Sequence, residues 1–103
     1  MITDDIKAAA CGADVLYTDV WVSMGKEKEA EYRLAQLSAF QIDGALVKLA
    51  KPGALVMHCL PAYRGKEIAA EVFEAHSDTI FTQAENRLHA QKAILSLLHA
   101  GWA

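Results

Sequence analysis

Three short segments of the chain concentrate side chains that could do chemistry, and each follows a predicted strand. They are Asp-Val-Trp-Val-Ser-Met-Gly at 19–25, His-Cys-Leu-Pro-Ala at 58–62 and Ala-Glu-Asn-Arg-Leu-His at 84–89. Together they supply a carboxylate, a thiol and a guanidinium group. In open parallel sheets, ligands bind beyond the carboxyl ends of the strands. We therefore expect the three segments to meet at one edge of a sheet.

Taken singly, these residues have ordinary structural interpretations. An aspartate at a strand end, such as Asp19, is more often a turn residue, and a thiol after an apolar strand, such as Cys59, is usually buried and inert. His58 and Cys59 are adjacent in a strand and point to opposite faces, which argues against a shared metal site. Arg87, in the first turns of a predicted helix, is unfavourable for the helix dipole, which slightly favours a functional role.

Apolar runs alternate with helical patterns along the chain, which predicts an α/β fold built as part of a doubly wound parallel sheet flanked by helices. Strands are predicted at 15–18, 54–58 and 79–81. Helices are predicted from a cap at Thr3 or Asp4 to about Ala10, at 26–39, 43–50 and 66–75, and from a capping box at Thr82-x-x-Glu85 to about Leu98. The last helix carries an apolar stripe with the spacing expected for burial: Ala90, Ala93, Ile94, Leu97 and Leu98.

Composition excludes several classes of protein. The chain has 103 residues, of which 53% are hydrophobic and 22% charged, with a net charge of −3, as expected for one small globular domain. No cluster of Lys and Arg offers a nucleic-acid footprint, and no apolar run approaches the roughly 20 residues of a membrane span. The two cysteines, Cys11 and Cys59, are expected as free thiols in a cytoplasmic protein.

The three segments, in this order and spacing, resemble the C-terminal signatures of ornithine carbamoyltransferases. The resemblance runs from about residue 12 to residue 98, and the ordered triplet is far more specific than any one tetrapeptide. It implies the C-terminal portion of a Rossmann-like carbamoyltransferase domain. It also implies transfer of a carbamoyl group from carbamoyl phosphate to L-ornithine, giving L-citrulline and phosphate, with no cofactor or metal and with a homotrimeric parent enzyme.

The same resemblance assigns roles to six residues. Asp19 and Cys59 are the expected catalytic residues, with the acceptor of the amine's proton left open. Ornithine is expected at Asp19, Ser23 and Met24, and carbamoyl phosphate at Cys59, Leu60 and Arg87. A carboxylate suits a cationic amino acid, and a permanently charged guanidinium suits the oxygens of the donor.

Residues 1–82 are predicted to form a partial ornithine-binding α/β domain. Residues 83–103 are predicted to be a C-terminal helix that in the family packs back toward an N-terminal domain. Two N-terminal family motifs, Ser-Thr-Arg-Thr and His-Pro-x-Gln, do not occur in the 103 residues. We therefore expect the chain alone to lack carbamoyltransferase activity, since preorganisation of both reactants needs both halves of the site. We also expect the apolar face of the helix at 85–98 to promote dimerisation.

Three alternatives are weighed against this interpretation. A carbamoyltransferase for another amine, such as aspartate, is the nearest, although Cys59 and the Ser-Met-Gly at 23–25 favour ornithine. A non-catalytic α/β module that binds an amino acid or a partner protein is the second. A dinucleotide-binding domain is the third, and it is disfavoured because no Gly-x-Gly-x-x-Gly follows any predicted strand.

Overall fold

The computed structural model describes residues 2–22 and 30–101. Its elements, in chain order, are α1 (Ile6–Ala10), β1 (Val15–Thr18), α2 (Ala30–Leu37) with a 3₁₀ turn at Ser38–Phe40, α3 (Gly44–Val47), β2 (Leu55–His58), α4 (Ala70–Ala75) and α5 (Ser77–Ala100). The predicted alternation of strands and helices is confirmed. The predicted helix at 26–39 is described only from residue 30.

The two described strands, β1 and β2, pair in parallel. Their register runs from Val15 opposite Leu55 to Thr18 opposite His58, so both strands end at the same level. The residues that follow, Asp19 and Cys59, therefore start from neighbouring positions at one sheet edge. Both strands lie where their apolar runs predicted them.

The N-terminal cap of α1 differs from the prediction. The cap is Asp5, whose carboxylate oxygen accepts hydrogen bonds from the backbone N–H groups of Lys7 and Ala8, both at 3.0 Å. Thr3 instead accepts from the N–H of Asp5 at 3.1 Å, and Asp4 caps nothing among the described residues. A capping side chain must reach the second or third amide of the helix, which only the residue just before the helix can do.

The predicted third strand at 79–81 is wrong, because α5 runs through it. The capping box at Thr82 is wrong for the same reason, since Thr82 lies inside the helix. A three-residue apolar run has no periodicity that separates strand from helix. Helical packing decides the outcome: Ile80 is fully buried, and the ring of Phe81 meets that of Phe73 edge-on with centroids 6.0 Å apart.

Two other predicted helices are shorter than expected. The one predicted at 43–50 is helical only at Gly44–Val47, followed by turns to Ala50, and the one predicted at 66–75 begins only at Ala70. The residues before Ala70 are held differently, because Ile68 forms a parallel bridge with Ile42. Hydrogen bonds from the N–H of Ile42 to Glu67 and from the N–H of Ala69 to Ile42 complete that bridge.

The core lies between the sheet and the helices, and it also contains two polar side chains. Its fully buried apolar members are Val56, Ile68 and Ile80, and the buried polar ones are His58 and Glu67. The predicted apolar stripe on α5 is not buried in this chain: the side chains of Ile94, Leu97 and Leu98 are at least half exposed. No helix in the described part of the chain is long and apolar enough to cross a membrane.

Candidate active site

Asp19 and Cys59 come together at the carboxyl edge of the sheet. Each follows the last residue of a strand, and the parallel register places those last residues side by side. The Cys59 thiol and the Asp19 carboxylate are near enough for each to shift the pKa of the other. One carboxylate oxygen also accepts from the backbone N–H of Val20 at 2.6 Å. The predicted meeting of a carboxylate and a thiol is therefore present in the structure.

The protonation of this pair follows from its surroundings. The hydrogen bond from the Cys59 thiol, and then that from the Val20 N–H, hold the pKa of Asp19 below its ordinary value. Burial, and then the Asp19 carboxylate, raise the pKa of the Cys59 thiol. An ordinary thiol titrates near pH ~8.5. At neutral pH, Asp19 is thus an anion and Cys59 a neutral thiol that donates to it.

Asp19→Asn is expected to lower the pKa of Cys59, because it removes the negative charge that opposes thiolate formation. The shift will be partial, since burial of the thiol remains. The pH profile of iodoacetamide alkylation measures it in a Cys11→Ser background, where Cys59 is the only thiol. Asp14→Asn, at the other end of β1, is the matched control. An unchanged or raised midpoint in Asp19→Asn would show that the carboxylate does not act on the thiol.

A buried pair of side chains, His58 and Glu67, lies directly behind the Cys59 segment. The Leu60 N–H donates to His58 Nδ1 at 2.8 Å, so this nitrogen is an acceptor and Nε2 carries the ring proton. Nε2 donates to Glu67 Oε1 at 3.0 Å, and the same oxygen accepts from the Tyr63 N–H at 2.6 Å. Both side chains are fully buried, so these contacts replace hydrogen bonds that water would otherwise supply, except at Glu67 Oε2, which has no hydrogen-bond partner among the described residues.

The pair sets the backbone of the segment that follows Cys59. Leu60 has φ 57°, in the left-handed region that a leucine rarely adopts, and the Leu60–Pro61 peptide is cis. The hydrogen bond from its N–H to His58 Nδ1 helps to hold the backbone at that φ. His58 therefore holds the peptide group between Cys59 and Leu60, at the two residues where carbamoyl phosphate is expected.

Sequence reasoning missed Glu67, Tyr17 and Gln83. The Gln83 amide joins α5 to both strands, as it accepts from the N–H of His58 and donates to the Tyr17 hydroxyl, each at 3.0 Å. The one available signal was His58 itself. A polar side chain in a buried strand needs a buried partner, although the sequence does not say which residue that is.

The other predicted site residues are placed less closely. Arg87 lies four residues after Gln83, on the same side of α5, with its side chain exposed and in no ion pair with a described residue. Leu60 is half-buried beside Cys59. Ser23 and Met24 lie outside the described residues. Within the described ranges, no group of three or more His, Cys, Asp or Glu side chains could hold a metal ion.

Known proteins share the sequence and the fold that carry this site. A family profile described as "Aspartate/ornithine carbamoyltransferase, Asp/Orn binding domain" matches residues 1–98. The chain belongs to this carbamoyltransferase family. The resemblance stated from the three motifs is thereby confirmed, and so is the α/β fold class.

Individual relatives agree with this assignment. An ornithine carbamoyltransferase of Methanosarcina acetivorans is 57% identical over 94 residues, which cover 91% of this chain and 31% of that protein. The crystal structure of an anabolic ornithine carbamoyltransferase from Campylobacter jejuni is similar to this carbamoyltransferase chain with a TM-score of 0.89 and 45% identity, over 93% of this chain and 32% of that one. The structure of the ornithine carbamoyltransferase from Pyrococcus furiosus is similar with a TM-score of 0.81 and 53% identity, over 90% of this chain and 30% of that one. The chain thus spans about a third of the length of the relatives it matches.

Proposed function

We propose that this chain is the ornithine-binding part of an ornithine carbamoyltransferase, which transfers the carbamoyl group of carbamoyl phosphate to L-ornithine to give L-citrulline and phosphate. The observation that supports this most is the neighbouring pair of Asp19 and Cys59, which directly follow two adjacent parallel strands in register. The Asp19 carboxylate is a fixed negative charge that suits a cationic amine substrate, and the small, polarisable Cys59 thiol lies beside it. The names of the relatives favour ornithine over aspartate.

In this proposal, some residues at the sheet edge bind ornithine and others bind carbamoyl phosphate. Asp19 binds the amino end of ornithine by charge. Cys59 lies beside the attacking amine and, as a neutral thiol, orients it rather than taking its proton. The Leu60 carbonyl accepts from the carbamoyl NH₂, and Arg87 neutralises the oxygens of the donor. Ser23 and Met24 hold the amino-acid portion of ornithine.

A chimera tests the proposal. The chain replaces the matching third of the Methanosarcina acetivorans enzyme, and citrulline formation is measured beside that of the parent. We expect turnover with ornithine and none with aspartate, because the replaced third contains the amine site. A folded chimera that forms carbamoyl-aspartate, or no product while the parent forms citrulline, would refute the proposal.

The isolated chain provides a complementary measurement. By itself it is expected to form no citrulline, because the proposal assigns the main phosphate-binding motifs to the remaining two-thirds of the enzyme. Calorimetry with ornithine distinguishes two functions of the chain: part of a catalytic enzyme, or an independent module that binds an amino acid. Saturable binding of ornithine by the chain alone, with an inactive chimera, would favour the module.

The setting of the complete enzyme is also part of the proposal. We place it in the cytosol as a homotrimer, following the family resemblance. The thiols of Cys11 and Cys59 are both free, which fits a reducing compartment. Light scattering of the active chimera measures the assembly directly.

A further inference from the structure

We propose that Gln83 is a positioning residue for carbamoyl phosphate, because its side-chain amide fixes α5 against the carboxyl end of β2 and so determines where Arg87 lies relative to Cys59 and Leu60. The assignment to carbamoyl phosphate rests on the proposed function. The attachment of α5 through Gln83 is a property of this chain alone and can be measured without any substrate.

The attachment consists of two hydrogen bonds made by one amide group. The side-chain oxygen of Gln83 lies 3.0 Å from the backbone nitrogen of His58, and its side-chain nitrogen lies 3.0 Å from the hydroxyl oxygen of Tyr17. A backbone N–H can only donate, so the amide oxygen must face His58 and the NH₂ group must face Tyr17. One residue of α5 is thus bound to both strands.

The acceptor that Gln83 provides lies on the free side of β2. This strand pairs with β1 on one side, and the described residues include no strand on its other side. His58, the last residue of β2, gives its backbone N–H to Gln83. The amide oxygen therefore does at this position what the carbonyl of a neighbouring strand would do. Without it, a part-buried N–H would have no acceptor among the described residues.

Two apolar contacts also hold the start of α5, but they determine its position less closely. Ile80 is fully buried, and the ring of Phe81 meets that of Phe73 edge-on. Burial of apolar surface is non-directional, so it holds the helix to the domain with little control over its rotation or its position along β2. The Gln83 hydrogen bonds depend on both distance and angle, so they restrict both movements.

Arg87 depends on this attachment because it follows Gln83 by about one helical turn. Residues four apart lie on the same side of a helix, with about 6 Å between them along the axis. The Arg87 side chain is exposed and makes no ion pair with a described residue. The point from which its guanidinium group reaches toward a ligand is therefore determined by the placement of α5.

His58 holds the other segment of the proposed donor site as well. Its ring nitrogen Nδ1 accepts from the backbone N–H of Leu60 at 2.8 Å, which holds the peptide between Cys59 and Leu60. Its own backbone N–H, through Gln83, holds the helix that carries Arg87. One residue is thus hydrogen-bonded to both segments at which carbamoyl phosphate is expected. Loss of the Gln83 bond would release one segment and leave the other in place.

Amide hydrogen exchange of the isolated chain, followed by NMR, tests the attachment. Gln83→Met preserves the length of the side chain but removes both polar atoms, so the His58 N–H should exchange about 10-fold faster, the change expected for one hydrogen bond. Gln83→Glu retains an oxygen for that N–H and should restore slow exchange. Gln91→Met, the same change at an exposed position of α5, is the control and should alter nothing. Circular dichroism verifies that each variant is folded.

The role in donor binding is measured in the chimera. Gln83→Met should raise KM for carbamoyl phosphate by about 3- to 10-fold and leave KM for ornithine nearly unchanged, because Asp19 does not lie on α5. Arg87→Met should raise the same KM, and Gln83→Met should add little to it in the double variant, because both act through one guanidinium group. Tyr17→Phe removes only one of the two amide bonds and is the milder variant, with an expected rise of about 2-fold.

Three results would overturn the inference. The first is unchanged exchange of the His58 N–H in Gln83→Met, whatever the chimera does. The second is an equal rise of both KM values, and the third is full additivity of Gln83→Met and Arg87→Met. Either of these two would mean that Gln83 supports the fold without positioning Arg87, and the proposed function would stand. An inactive unsubstituted chimera would instead refute the proposed function, and the assignment to carbamoyl phosphate would fail with it.

Discussion

Glu67→Leu is expected to destabilise the chain by about 2–5 kcal/mol, because two donors lose their acceptor and each such loss costs about 1–3 kcal/mol. The substitution leaves the buried ring N–H of His58 and the part-buried backbone N–H of Tyr63 without the acceptor that Glu67 Oε1 now provides. The free energy of unfolding is measured by urea titration followed by circular dichroism. Because small domains are stabilised by only about 5–15 kcal/mol in total, this loss should move the urea midpoint to a clearly lower concentration.

Two other substitutions separate this effect from a general loss of charge. Glu74→Leu breaks an exposed ion pair with Arg64, in which both side chains are at least half exposed, and should cost about 1 kcal/mol or less. Glu67→Gln keeps an oxygen for both donors and should cost about 1 kcal/mol. Equal losses in Glu67→Leu and Glu74→Leu would mean that the buried pair has no special role.

Asp19→Asn in the chimera is expected to lower kcat/KM for ornithine by about 100-fold, which corresponds to roughly 2.7 kcal/mol for the loss of one charged hydrogen bond. Asparagine has nearly the same shape as aspartate, so the backbone and the thiol contact can persist while the charge is lost. KM for carbamoyl phosphate should change little, since Asp19 is proposed to contact only the amino acid. Initial rates with each substrate varied in turn distinguish the two effects.

Asp14→Asn provides the matched control for this activity. Asp14 precedes β1 by one residue and pairs with Lys51 at 2.7 Å on the exposed surface. Its substitution should leave both kinetic parameters near those of the unmodified chimera. An Asp19→Asn chimera with full activity toward ornithine would remove this carboxylate from the site.

The sheet could be predicted because its strands have a simple signature. Continuous apolar runs at 15–18 and 54–58 predicted the strands, and parallel pairing then places Asp19 and Cys59 at one edge. The further expectation that both faces of these strands are covered is wrong for this chain, because Val15, Tyr17 and Leu55 are exposed. The run at 79–81 has the same composition but forms part of a helix, because tertiary packing of Ile80 and Phe81 decides so short a segment. The local sequence pattern predicted a strand correctly only where the apolar run was longer than one helical turn.

The side chains that support the site could not be predicted in the same way. His58 and Glu67 are nine residues apart, and Gln83 and Tyr17 are 66 apart. Neither separation corresponds to a helical or strand period, so no motif marks them. Each pair is determined by the requirement that buried or half-buried polar groups find partners, which only the folded chain satisfies.

The bond between Gln83 and Tyr17 also bears on the order of folding. A contact that joins residues 66 positions apart closes most of the chain into one loop, and such contacts form late because the loop entropy must be overcome first. The sheet edge that carries Asp19 and Cys59 is therefore complete only after β1, β2 and the start of α5 have met. A chain caught before that step lacks the burial that raises the pKa of the Cys59 thiol, so in a Cys11→Ser background the alkylation of Cys59 reports whether folding has finished.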